Sequence, residues 1–331
     1  MRLIPNFKGF DFFPHNTRLP FMRYKGLCFG LSLLAMLLSS AIIGVMGFNY
    51  GVDFKGGSLI EVQSNSGPAD VAQLRDKLNR LGVGAVQIQS FGGPTDVLIR
   101  VEQQPGGESE QQAALKKVQE ALGTRYTQRR VEVVGPAVSS ELRFTGFIAV
   151  AAGLLAIVAY VWFRFEWQFA LGAIVALSHD VLVTAGLFSL FQLEFDLSIV
   201  AALLTILGYS VNDTVVVSDR IRENLRKYKR MELNELLNLS INETLSRTIL
   251  TGCTAIAVLV ALYAFGGEVI RNFNLAMLLG VVIGTYSSIF IAAPLLGYLG
   301  VRRDWSGAAA VTKPDKSDAT PTSRRLNVAS K

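Results

Sequence analysis

The chain is short of cysteine, histidine and charge, and each shortage closes off a class of function. Its two cysteines, Cys28 and Cys253, sit inside apolar runs, where they read as small packing residues rather than a disulfide or a metal pair. Two histidines, His15 and His179, are too few for a histidine-rich metal site, and neither a metal nor a cofactor is expected. Charged residues are 18% of the 331, against 50% apolar. A soluble chain cannot bury that much apolar surface and cover itself with so little charge.

What the sequence has in quantity is long apolar runs. A membrane helix needs about 20 residues of low charge to cross about 30 Å of hydrocarbon. Six stretches qualify: 26–52, 144–163, 248–267 and 272–301 carry no charge, 167–192 contains only His179 and Asp180, and 197–218 contains only Asp213. Buried helices of soluble proteins seldom run this long with every face apolar. The expected fold is therefore a membrane all-α bundle of six transmembrane helices, at 26–48, 144–163, 167–190, 197–218, 248–266 and 272–298.

Lysine and arginine in the short loops set the orientation. They crowd the arm 1–25 (Arg2, Lys8, Arg18, Arg23, Lys25), the connector 219–247 and the tail 304–331, whereas the loop 192–196 has none and 266–272 has only Arg271. Both termini of this multi-pass chain are thus expected in the cytoplasm. Trp162 and Trp167 flank the turn at Arg164 as interfacial anchors would. The first run is longer than a signal-peptide core and lacks a small-residue cleavage site, so it reads as an uncleaved anchor. The connector 219–247 is basic and amphipathic, suited to anionic lipids at the cytoplasmic face. The tail, rich in Ala, Ser, Thr, Pro and Lys, is expected to be disordered.

Residues 49–143 form the one sizeable soluble segment, placed by this topology in the periplasm. From Asp53 to Arg143, eleven basic residues meet eleven acidic ones, so no basic patch points to nucleic acid. Strands are predicted at 58–63, 86–91, 97–102 and 130–134, and helices at 68–81 and 109–122. A turn is expected at Gly92-Gly93-Pro94-Thr95-Asp96. That β-α-β-β-α-β order is ferredoxin-like. The segment holds no histidine, cysteine or nucleophile–base pair, so a binding or lever domain is expected rather than an enzyme.

Ionisable groups within hydrocarbon cost about 2.5–3.5 kcal/mol or more each, so every one needs a reason. At about 1.5 Å per residue, Asp213 lies about 10 Å inside Arg220, at the cytoplasmic mouth. Arg247 opens the next run at the same mouth and can reach inward. A carboxylate held between poor solvation and a guanidinium can load and release protons; a static pair locking two helices would use the same residues. Asp180 lies about 20 Å from Trp167 on the same rise. His179 beside it should point about 100° away, making an interhelical hydrogen bond rather than a dyad. Ser210 and Asn212 could complete a polar network around Asp213 or simply bond a neighbouring helix, and Gly280 and Gly284 form a G-x-x-x-G packing step.

Several segments carry a resemblance. Gly51-Val-Asp-Phe-Lys-Gly-Gly57 is similar to the G-x-D-F-x-G-G signature of the SecD/SecF family of protein-export membrane proteins, and Val134-Gly-Pro-Ala-Val-Ser-Ser140 resembles its V-G-P-x-V-G. Ser139 departs from that pattern, standing where the family has Gly. Arg164-Phe-Glu-Trp167, His179-Asp180, the block from Gly208 through Asn212-Asp213-Thr214 to Asn224, and Leu245-Ser-Arg-Thr248 resemble the SecF branch in order, covering roughly residues 25–300. The resemblance implies half of an RND-type transporter, in the inner membrane of a bacterial cell. Its partners would be SecD, completing a twelve-helix bundle, the SecYEG translocon, the translocating preprotein, and protons. Asp213 and Arg247 match the family's proton-pathway pair. Two other classes remain as alternatives: a proton-driven exporter of small apolar molecules or lipids, and a structural scaffold.

Overall fold

A computed structural model describes residues 19–84 and 86–301. The tail 304–331, His15 and most of the N-terminal arm lie outside the described residues. The first long helix, α1 (Lys25–Met46), leads to a two-residue strand β1 (Asn49–Tyr50) and a single turn α2 (Val52–Lys55). A four-stranded unit follows: β2 (Gly57–Ser64), α3 (Val71–Asn79), β3 (Val86–Phe91), β4 (Gly93–Val101), α4 (Glu108–Leu122) and β5 (Tyr126–Val134). The remainder is helical. It comprises α5 (Pro136–Arg164), α6 (Trp167–Leu190), a short strand β6 (Glu194–Phe195), α7 (Leu197–Lys227), α8 (Leu233–Phe265) and a last helix built as α9 (Arg271–Ser287), a π-helical turn (Ser288–Ala292) and α10 (Ala293–Leu299).

The sheet runs β3-β4-β2-β5 with every pair antiparallel, which is the ferredoxin-like arrangement expected from the element order. Alternation along β2 sends Ile60 and Val62 to a core shared with Leu74 and Leu78 of α3 and Val118 and Leu122 of α4. Helices thus cover one face only. Element ends differ from expectation for local reasons. Helix α3 begins after Pro68 because Asp70 caps it, accepting from Gln73 N at 2.9 Å. The β3–β4 turn is tighter than predicted, since Gly92 at φ +74° reverses the chain alone and leaves residues 93–96 in β4. Strand β5 starts four residues early; its polar Tyr-Thr-Gln-Arg stretch carries no apolar alternation to announce it.

Six helices are long and apolar enough to cross a membrane. They form an inner row and an outer row: α6, α7 and the last helix bury 56%, 50% and 56% of their apolar windows, whereas α1, α5 and α8 bury 11% each. The connector at 219–247 is not a separate element. Helix α7 continues to Lys227 and α8 starts at Leu233, so the segment is the closed end of an antiparallel hairpin. Ile221 and Leu225 pack there against Leu236, Leu237 and Ile241. Asn224 Nδ2 donates to Ser240 Oγ at 3.0 Å and Glu243 Oε2 at 2.6 Å, and Arg220 Nε reaches the same Glu243 at 2.8 Å.

Candidate functional site

Asp213 and Asp180 are the two buried carboxylates of the helical bundle, and the inner helices place them on adjacent walls. Asp213 rides on α7, sixteen residues past Leu197. Its Oδ1 accepts from Thr248 Oγ1 of α8 at 2.7 Å and its Oδ2 from Ser288 Oγ at 2.5 Å. Asp180 rides on α6 and is wholly buried. Its Oδ2 accepts from Ser210 Oγ of α7 at 2.5 Å and from Ser287 Oγ at 2.8 Å. A buried carboxylate needs such donors, since one left unsatisfied costs a large desolvation penalty.

The last helix joins the two sites. Ser287 and Ser288 are consecutive, so their side chains leave the helix about 100° apart, one toward Asp180 and the next toward Asp213. They stand where α9 gives way to the π turn. Pro294, six residues past Ser288, has no N–H and its ring clashes with the carbonyl four residues back; a wider turn relieves that clash. Close approach is equally necessary. A Cβ on Gly284 would lie 3.1 Å from Ser210 Cβ and 3.5 Å from Asp180 Oδ2, and one on Gly280 would land on the Ile206 side chain. Both glycines of the G-x-x-x-G step therefore lie against α7.

Each serine hydroxyl has one proton and two acceptors within reach. Ser288 Oγ lies 3.1 Å from Thr285 O as well as beside Asp213, and Ser287 Oγ lies 3.1 Å from Gly284 O as well as beside Asp180. An ionised carboxylate draws both hydroxyl protons toward itself. A protonated one accepts less and donates once, which turns a serine back to its own helix. At each of these two positions the hydroxyl proton can therefore serve either the carboxylate or the helix's own carbonyl.

The other predicted residues fall differently. Arg247 is exposed and makes no ion pair with Asp213 within 4.0 Å among the described residues; its neighbour Thr248 makes the contact instead. Ser210 serves Asp180 and not Asp213, and Asn212 is exposed and supplies none of Asp213's bonds. The expected network around Asp213 is corrected accordingly: Ser210 instead bonds a neighbouring helix at Asp180, and Asn212 lies on the exposed side of α7. His179 also departs from expectation, since its Nδ1 stands 3.0 Å from Asp180 Oδ1 and its ring 6.2 Å from that of Tyr286. With both residues buried, rotation of the two side chains overcomes the divergence of their Cβ atoms. Thr248, Ser287 and Ser288 are the functional candidates that sequence reasoning missed; the signal was a pair of adjacent hydroxyls shortly before a proline within an apolar run.

Comparison with known proteins gives this arrangement a family. Residues 114–302 match the model "Protein export membrane protein SecD/SecF, C-terminal", and residues 41–67 match the "SecD/SecF GG Motif". The protein translocase subunit SecF of Cereibacter sphaeroides is 48% identical over 88% of this chain and 92% of its own length. That of Rickettsia akari is 44% identical over 92% and 96%. The translocase subunit SecDF of Brucella abortus is 44% identical over 87% of this chain, which spans 38% of that longer protein. The crystal structure of SecDF from Thermus thermophilus, described as translocon-associated, superposes with a TM-score of 0.78 at 36% identity, covering 88% of this chain and 40% of that one. The chain belongs to the SecD/SecF family of protein-export membrane proteins and is a relative of the translocase subunit SecF.

Proposed function

We propose that the chain is the SecF-type half of a proton-driven protein translocase, pairing with a SecD-type partner beside the SecYEG channel in the bacterial inner membrane. In this reading both termini face the cytoplasm, the basic end of the α7–α8 hairpin meets anionic lipids, and the sheet domain works on the periplasmic side in late steps of preprotein export. Asp213 takes up and releases the proton, with Arg247 as the cation that approaches when the partner's helices cover it; Asp180 is the second carboxylate of the path.

The observation that carries this reading is the Ser287–Ser288 pair, which makes two buried carboxylates answer to one helix. Relatives that carry SecD and SecF in a single chain support the partner, as does an outer row of helices with little of its apolar surface covered. The test is translocation by membrane vesicles holding the whole complex, with and without an imposed proton gradient. Asp213→Asn should leave assembly and gradient-independent export intact and abolish the stimulation. An unimpaired variant would reduce Asp213 to an interhelical tie.

A further inference from the structure

The segment that carries the G-x-D-F-x-G-G signature does more than link α1 to the sheet. Its β1 pairs in parallel with β6, Asn49 opposite Glu194 and Tyr50 opposite Phe195, and Gly51 N donates to Phe195 O at 2.9 Å. Asp53 Oδ2 then accepts from Leu197 N at 2.9 Å. Leu197 opens α7, the helix of Asp213, and its N–H is one of the donors a helix start leaves without an internal partner. Asp196 takes another, accepting from Ile199 N at 3.2 Å. Phe54 is buried next door with Phe195, Ile199 and Val200. From the sheet face that no helix covers, Arg100 of β4 forms an ion pair with Glu194, and both side chains are largely shielded, 16% and 20% exposed.

These contacts converge on one point, the first turn of α7. Beside them the sheet stands clear of the bundle. A cleft of about 630 Å³ opens between Leu59, Glu61 and Leu98 on the sheet and Asp196, Ile270 and Asn272 below. The sheet thus meets the bundle at the ends of its strands, where β5 also runs into α5, and faces the cleft along its length. Asp213 lies about 24 Å along α7 from Leu197 at the rise of an α-helix, and α7 is continuous between them.

We propose that Asp53 and the Arg100–Glu194 pair form a clamp tying the sheet domain to the first turn of α7, through which displacement of α7 at Asp213 moves the domain. The clamp rests on the proton-relay reading and adds a mechanical output to it. Asp53 and Arg100 are positioning residues, acting through the helix and not on the proton.

The clamp is tested in vesicles of the assembled complex with Arg100→Glu, Glu194→Arg and the double swap, alongside Asp53→Asn. Each single variant should cut gradient-dependent translocation severalfold while gradient-independent translocation and complex yield stay at wild-type levels. The swap should restore the gradient-dependent part, which a merely structural loss would not allow. A probe pair at Gln89 and Asn272, which line the cleft from opposite sides, should change separation under a gradient in wild type and in the swap, but not in the single variants. Asp213→Asn in the same vesicles separates the two ideas. If it abolishes stimulation while the clamp variants keep it, the clamp is wrong and the relay stands. If Asp213→Asn is unimpaired, both fall. Single variants that lower both kinds of translocation with no rescue by the swap would likewise overturn the clamp.

Discussion

Gly280 and Gly284 show how single residues decide the geometry around the two buried carboxylates. The last helix must lie against α7 for Ser287 and Ser288 to reach two carboxylates, and side chains at these glycines would hold it off. Gly280→Ala would drive its Cβ into Ile206; such overpacking typically costs about 1–3 kcal/mol. Thermal unfolding of the purified complex should show that loss, and an unchanged midpoint would mean the helices have slack that the packing does not suggest. At this scale the sequence was half legible. Asp180 and Asp213 stood out because charge in hydrocarbon is expensive. Thr248, Ser287 and Ser288 did not, because hydroxyls in membrane helices are cheap: most bond back to their own helix, as Thr251 does to Arg247 O at 3.0 Å and Thr254 to Leu250 O at 3.0 Å.

Among elements, the segments that join the sheet to the bundle were the least legible. Strands β1 and β6 are two residues each, too short for any periodicity, and pair across 145 positions of sequence (Asn49 with Glu194). The α7–α8 hairpin was half legible: its charges marked an amphipathic segment, but not that the apolar stripe of Ile221, Leu225, Leu237 and Ile241 faces its own partner helix. An asparagine ladder on α8 was equally silent. Asn234, Asn238 and Asn242 repeat every four residues and hold the start of α1 and the chain ahead of it, accepting from Lys25 Nζ at 3.0 Å, Met22 N at 2.9 Å and Leu19 N at 2.9 Å.

The junction also gives a pH dependence. Burial lifts the Glu194 carboxyl above its ordinary 4.5, against the lowering effect of Arg100, with the charges of Asp196 and Asp53 raising it further; Glu61, Arg130 and Glu132 line the same cleft. A group whose value is raised in the docked state binds a proton more readily there than when undocked. Docking is therefore strengthened below the ordinary 4.5 and loses that contribution as pH rises through the raised value. The protection factor of the Leu197 amide, its exchange rate divided into the intrinsic rate at the same pH, should rise as the sheet side is acidified through that window, and Glu194→Gln should flatten the profile. A protection factor that falls on acidification would reverse the sign and contradict the assignment.

At the scale of the whole molecule the sequence was most informative. Six apolar runs gave six helices, and the β-α-β-β-α-β order gave the ferredoxin-like sheet. Both follow from periodicity and from the solvation of backbone in lipid, which admits few alternatives. What one chain cannot show is a closed bundle. The outer helices α1, α5 and α8 remain mostly uncovered, and Arg247 and Asn212 lie exposed beside a buried Asp213. A second set of helices over that face would enclose the carboxylate and bring a partner to Arg247. The most direct measurement is infrared difference spectroscopy of the assembled complex as a proton gradient is imposed and collapsed. A carboxylic-acid band should appear and vanish with the gradient, and be absent from Asp213→Asn. A spectrum in which position 213 stays charged, or stays neutral, throughout the cycle would contradict a moving proton at the centre of this protein.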